Sequence, residues 1–224
     1  MLVYPGFTAL DMVGPHYMFT SLMGATTQVV ARTREVVRSD TGLAILPDVA
    51  FAEWTGEIDI LCVPGGTTGT LAAMDDPDTI RFLRDVGSRA RFVTSVCTGS
   101  LVLGAAGLLE GYRATSHWVT RPLLPIFGAT AVDARVVRDR NRITAAGVTA
   151  GLDFGLALVG ELRDPTYAQG VQLMAEYAPE PPFNAGTTRT APEPVREMLQ
   201  DMFAGFLAKA DAAGRRAMGR LRPG

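Results

Sequence analysis

The chain has 224 residues, 47% of them hydrophobic, with 21 basic against 23 acidic side chains and a formal net charge of −2. That length supports one large domain with a sizeable core, and without a basic block or stripe the sequence argues against a nucleic-acid partner. No stretch reaches the roughly 18 unbroken apolar residues of a membrane span, and no basic segment followed by a long apolar one opens the chain. A cytoplasmic enzyme or binding protein is expected.

In chain order, "MLVYPG" (1–6) reads as the end of a strand cut by Pro5-Gly6. "TALDMVGP" (8–15) reads as a loop, with Pro15 opening a helix over 15–22. A strand is expected at 26–32 and a short hairpin-like excursion at 39–51. "IDILCV" (58–63) is the unbroken apolar run of a strand buried on both faces, and it stops at Pro64-Gly65-Gly66. Residues 76–88 are amphipathic, with Asp76 as N-cap and Pro77 in the first position. "RFVTSV" (91–96) is the next strand, and the helix after Cys97 is rich in small residues that permit close packing on a sheet. Two short strands about a polar turn follow at 134–147. Helices are expected at 149–164 and 165–177, then a proline-rich extended stretch at 179–187 and a long final helix or helix pair over 191–219. The arginine-rich end, 214–224, is expected to fray into solvent. Strands alternating with helices give one α/β domain with a mainly parallel sheet, residues 1–190, extended by helix over 191–224.

The chemistry-bearing residues gather at one edge. Asp11 follows the first strand, Gly65 and Gly66 follow the strand at 58–63, and Cys97 follows that at 91–96. If these strands are parallel, their loops emerge together, at the edge that carries the ligand crevice in open α/β sheets. A thiol at a strand-to-helix turn faces free N–H groups that stabilise a thiolate, so Cys97 is expected to titrate below the ordinary thiol value. The N–H groups of Thr98 and Gly66 are candidate donors to developing negative charge. Asp11 is either a turn or capping residue or a desolvated carboxyl that exchanges a proton beside Cys97. His117 either orients the thiol or is a packed side chain, and Thr98 is either a first-turn residue or a hydroxyl that positions water. His16 is read as a first-turn helix residue, and Cys62, inside an apolar strand, as core. Two cysteines and two histidines without metal-ligand spacing give no basis for a metal site, and the common phosphate-binding motifs are absent.

The segments "VYPGFTALDMVGP", "DILCVPGG", "VTSVCTGSLVLGAAGLLEGYRATSHW", "GVTAGLDFGLALV" and "EYAPEPPFNAG" resemble the ThiJ/PfpI superfamily, and within it the isocyanide (isonitrile) hydratases. The resemblance fades over the last thirty or so residues. It implies a flavodoxin-like, class I glutamine amidotransferase-like sandwich with a nucleophile elbow at Cys97. It also implies an acid at Asp11, site-shaping roles for Gly66 and Thr98, no cofactor, and a homodimer with pockets near the interface. Many superfamily members carry Glu where this chain has Asp11, and the protease-like branch carries His where it has Thr98. Ala145-Ala146 stand where glycines are common. The implied reaction hydrates an isocyanide, R–N≡C, to the N-substituted formamide through a Cys97 thioimidate. Rival readings are a cysteine redox sensor or regulatory protein, and a glyoxalase or deglycase acting on 2-oxoaldehydes.

Overall fold

The computed structural model describes residues 1–221. Its centre is a sheet in which β5 (Ile60–Val63), β6 (Phe92–Val96), β10 (Arg142–Ala145) and β9 (Val136–Asp139) lie side by side. β5, β6 and β10 run parallel, and β9 returns antiparallel to β10 across the polar turn at 140–141. Residues 1–3 continue the sheet beyond β5. The Leu2 N–H donates to Cys62 O at 2.9 Å, and the Val3 N–H donates to Val30 O at 2.9 Å. β1 (Val30–Ala31) follows, paired in parallel with β4 (Val49–Ala50). The hairpin β2 (Val37–Arg38) and β3 (Ala44–Ile45) projects between them. A smaller parallel pair is β7 (Arg113–Ala114) and β8 (Thr130–Ala131).

Two layers of helix enclose this sheet. α1 (Ala9–Thr20), α5 (Ala150–Leu162) and α6 (Pro165–Met174) pack together on one side. α2 (Thr68–Asp75), α3 (Pro77–Arg89), α4 (Gly99–Ala105) and the long α7 (Glu193–Leu221) form another group, with the 3-10 helix Arg121–Phe127 wedged among them. α3 starts as its sequence dictates: the Asp76 carboxylate accepts the Thr79 N–H at 3.1 Å and Pro77 takes the first position. Asp164 caps α6 in the same way through the Tyr167 N–H.

Three expectations change. The stretch 8–15 is helix, and Pro15 lies inside α1 rather than at its start. The hydrogen bond that proline removes is offset by packing, since the ring seats against α5 at Gly151. His16 is therefore a mid-helix residue, partly buried. The first strand ends at the Pro5-Gly6 turn as expected, with Gly6 at φ +76°. The arginine-rich end is ordered helix as far as Leu221, with Arg216 and Arg220 both paired to Asp75 of α2; positions 222–224 lie outside the described residues. α2 is an element that the sequence reading missed.

The group around α7 converges on Phe127, which is 1% exposed. A methyl group on Gly104 of α4 would sit 2.4 Å from the Phe127 ring, so α4 approaches closely only without a side chain there. Phe127→Ala is expected to cost about 3–5 kcal/mol, the scale of a large core truncation, read as a lower midpoint in urea unfolding.

Candidate active site

The strand-loop-helix junctions after residues 1–3, β5 and β6 meet at one edge of the sheet, as the parallel arrangement requires. Asp11 sits in the first turn of α1 with 0% exposure. One carboxylate oxygen, Oδ2, accepts the Gly65 N–H at 2.9 Å, and Oδ1 has no protein partner. The Cys97 thiol lies beside the same carboxyl. Gly65 is required for this approach. A Cβ there would lie 2.6 Å from the Thr98 nitrogen and 2.8 Å from Asp11 Oδ2.

Cys97 occupies the left-handed region at φ +58°, a conformation that costs an L-residue about 1–2 kcal/mol. Hydrogen bonds hold it there from both sides. Its N–H donates to Ala146 O at 2.9 Å and Ala145 O at 3.1 Å, and its carbonyl accepts the hydroxyls of Ser100 and Ser116 at 3.1 Å each. Its sulfur faces the N–H groups of Thr98 and Val148. Val148, just before α5, is itself at φ +24°. Ser100, Ser116 and Val148 are parts of the site that were not legible beforehand, since each meets Cys97 only in the folded chain.

Thr98 organises the floor. Its hydroxyl accepts the Gly66 N–H at 2.9 Å, donates to Gly66 O at 2.7 Å and contacts the Thr70 hydroxyl at 2.8 Å. Thr70 in turn meets the Tyr4 hydroxyl, which donates to Pro64 O at 2.8 Å. The Gly66 N–H is thus engaged, not a free donor as the sequence reading expected. The Thr98 N–H is turned to the sulfur.

Burial dominates the electrostatics. Desolvation raises Asp11 to about 7, against the lowering effect of the Gly65 N–H and the Cys97 thiol. The Cys97 thiol is also raised, by burial first and the Asp11 charge second; the N–H and hydroxyl groups around the sulfur oppose this without prevailing. That reverses the expectation of a depressed thiol. α4 has only seven residues, and the thiol is 7% exposed beside a carboxyl. Both groups are therefore pushed toward their neutral, protonated forms. Cys62, inside β5 and fully buried, is raised to about 11 by burial and is core, as expected.

His117 stands apart from the thiol. Its Nδ1 accepts the Val119 N–H at 3.4 Å, and its ring packs against Gly147 and near Trp118 and Phe203. Burial lowers its pKa, which favours the neutral ring.

The family model for DJ-1/PfpI proteins matches residues 1–161. The chain belongs to the DJ-1/PfpI family. It is 44% identical to an isonitrile hydratase of Pseudomonas putida across 98% of this chain and 96% of that protein. It superposes on the crystal structure of a ThiJ/PfpI family protein from Pseudomonas syringae with a TM-score of 0.94 and 59% identity, covering 96% of this chain and 88% of that one. Drosophila melanogaster DJ-1beta shares the fold at a TM-score of 0.72, with 24% identity over 80% of this chain and 96% of its own. The two solved structures thus share the fold of this chain, whereas the two Pseudomonas proteins are similar to it along nearly the whole chain. No helix among the described residues is long and apolar enough to cross a membrane.

A carboxyl raised by folding makes stability fall as pH rises. The folded state holds the Asp11 proton to about pH 7, while the unfolded chain releases it near 4, so the unfolded state binds fewer protons across that window. Wild-type stability relative to Asp11→Asn is therefore expected to drop between those pH values, by on the order of a few kcal/mol. Urea unfolding of both proteins at pH 4.5 and 7.5 checks this; equal pH dependence in the two would be the contrary result.

Proposed function

We propose that this chain is an isocyanide hydratase, converting R–N≡C and water to the N-substituted formamide. The observation that carries the reading is the buried Asp11–Cys97 pair, together with 44% identity to an isonitrile hydratase over nearly the whole chain. An isocyanide carbon must gain both a nucleophile and a proton. The pair offers both from one place.

Cys97 is the nucleophile on an elbow, a role supported by its left-handed backbone at the strand-to-helix turn. Its sulfur adds to the terminal carbon of R–N≡C while its proton passes through Asp11 to that same carbon. The product is the thioimidate R–N=CH–S–Cys97. Asp11 then relays a proton from water to the nitrogen as the water oxygen adds to this carbon. Collapse of R–NH–CH(OH)–S–Cys97 breaks the carbon–sulfur bond, releases R–NH–CHO and returns the proton to the pair. The unpartnered Asp11 Oδ1 is the atom suited to carry the proton. Thr98, Gly65 and Gly66 shape the floor. None of these steps calls for a cofactor or a metal.

The site sits beside exposed apolar surface. Leu10, Val13 and Tyr17 line the outer face of α1, next to a groove of about 410 Å³ between α1, α5 and α6. On α7, Met198 and Met202 are exposed, while Leu199, Phe203, Phe206 and Leu207 are partly covered. These surfaces support a homodimer through the α1 face, and the packing of α7 on α2 and α4 supports reading 191–224 as part of the one domain.

Two measurements test the reading. Purified protein is expected to convert an alkyl isocyanide to its formamide and to leave methylglyoxal untouched. Cys97→Ala should abolish turnover, and Asp11→Asn should reduce it by about 10²-fold or more, the scale of a positioned proton carrier. Consumption of methylglyoxal with the isocyanide intact would assign the pair to 2-oxoaldehyde chemistry instead. Light scattering at micromolar concentration should give a dimer that Val13→Asp weakens; a monomeric wild type removes the interface.

A further inference from the structure

The loop joining β2 to β3 reaches the N-terminus of α1. There the Thr8 hydroxyl donates to Asp40 Oδ2 at 2.7 Å. Two backbone bonds stitch the same loop in place: the Asp40 N–H donates to Phe7 O at 2.9 Å and the Gly6 N–H donates to Arg38 O at 2.8 Å. Thr8 is the N-cap residue of α1, yet its side chain makes no cap bond and its hydroxyl turns to Asp40 instead. Three residues on lies Asp11.

Two carboxyls therefore share one helix N-terminus. Such an end stabilises negative charge, and a second like charge there is disfavoured. Asp40 is exposed, whereas Asp11 is stripped of water. The inner group, Asp11, is the one that burial pushes toward its protonated form. The other titratable groups acting with Asp11 are Tyr4 ahead of α1, Cys62 in β5 and Cys97 after β6. On α5, packed along α1, Asp153 is already engaged by Arg135 and the Tyr177 hydroxyl. Within the hairpin, Arg38 is turned to Gly42 O. His16, further along α1, is shifted toward its neutral form by burial.

We propose that Asp40 is a positioning residue that keeps the Asp11 proton in place near neutral pH, by holding a negative charge at the N-terminus of α1 while anchoring the loop that leads into it. The inference rests on the proton-carrying role given to Asp11 above. In that role a carboxyl that lost its proton too early would have none to deliver to the isocyanide carbon. Asp40 acts through Asp11 and does not touch the reacting atoms. Burial is the main cause of the raised Asp11, and the Asp40 charge adds to it in the same direction as the smallest contribution.

The test follows the infrared band of the protonated Asp11 carboxyl, assigned by its loss in Asp11→Asn, against pH. Asp40→Asn keeps an oxygen to accept the Thr8 hydroxyl and removes the charge. Its midpoint is expected about half a pH unit lower than wild type at low ionic strength, the scale of one partly screened charge. Asp40→Glu should restore the wild-type midpoint. In about 1 M salt, where the screening length falls to roughly 3 Å, the difference should close. An unchanged midpoint in Asp40→Asn overturns the proposal, as does an equal shift in Asp40→Glu, which would mark a loop defect instead of a charge. If Asp40→Asn does not fold, wild type alone decides: its midpoint must fall as salt is raised, and a salt-independent midpoint overturns the proposal. None of these readings needs turnover. An absence of isocyanide hydration in wild type would sink the proposed function and leave the carboxyl titration to decide Asp40.

Discussion

The left-handed backbone at Cys97 is the constraint on which the site depends. A residue with a side chain does not rest at φ +58° unless its surroundings insist. Here they do so from three places: the end of β10 receives its N–H, while the hydroxyls of Ser100 in α4 and Ser116 after β7 grip its carbonyl. Release of that turn would let the sulfur swing away from Asp11 and from the Val148 N–H. The strands, the small-residue helix behind them and the two serines are in this sense one device for aiming a sulfur atom.

Burial then sets the chemistry. With the thiol and the carboxyl both desolvated, each prefers its neutral form, and the pair behaves as a single proton store with two outlets. The sequence reading weighed a helix terminus against an ordinary thiol and expected easy ionisation. It had no means of weighing the loss of water around Cys97, which needs the packing of α1, the Gly65 turn and the residues before α5 to be known together. For Asp11 the sequence left two readings open, a capping residue or a carboxyl stripped of water, and only the burial in the folded chain decides for the second.

Much of the fold was legible for local reasons. β5 and β6 announce themselves as unbroken apolar runs, α3 and α6 carry their caps and first-position prolines, and β9 and β10 flank a polar turn. α1 was misread because Pro15 looks like a start signal; only its seat against Gly151 shows why the helix tolerates a proline within. α2 was missed because an eight-residue helix with little periodicity is defined by what packs on it, here α4 and α7. The ordered end of α7 follows from two arginines meeting one aspartate 141 and 145 residues away in the chain. Spacing alone does not announce such pairings.

The engagement of the Gly66 N–H by the Thr98 hydroxyl bears on chemoselectivity. Ester and amide hydrolysis develop an oxyanion, and catalysts of those reactions hold backbone donors vacant to receive it. In this site one such donor is committed to a threonine and two others are directed at sulfur. Addition to an isocyanide places its new electron density on carbon, where a proton and not an N–H dipole quenches it. A cysteine furnished in this way is poorly equipped to cleave peptides and well matched to a substrate that is reactive at carbon and makes no oxyanion in its first step.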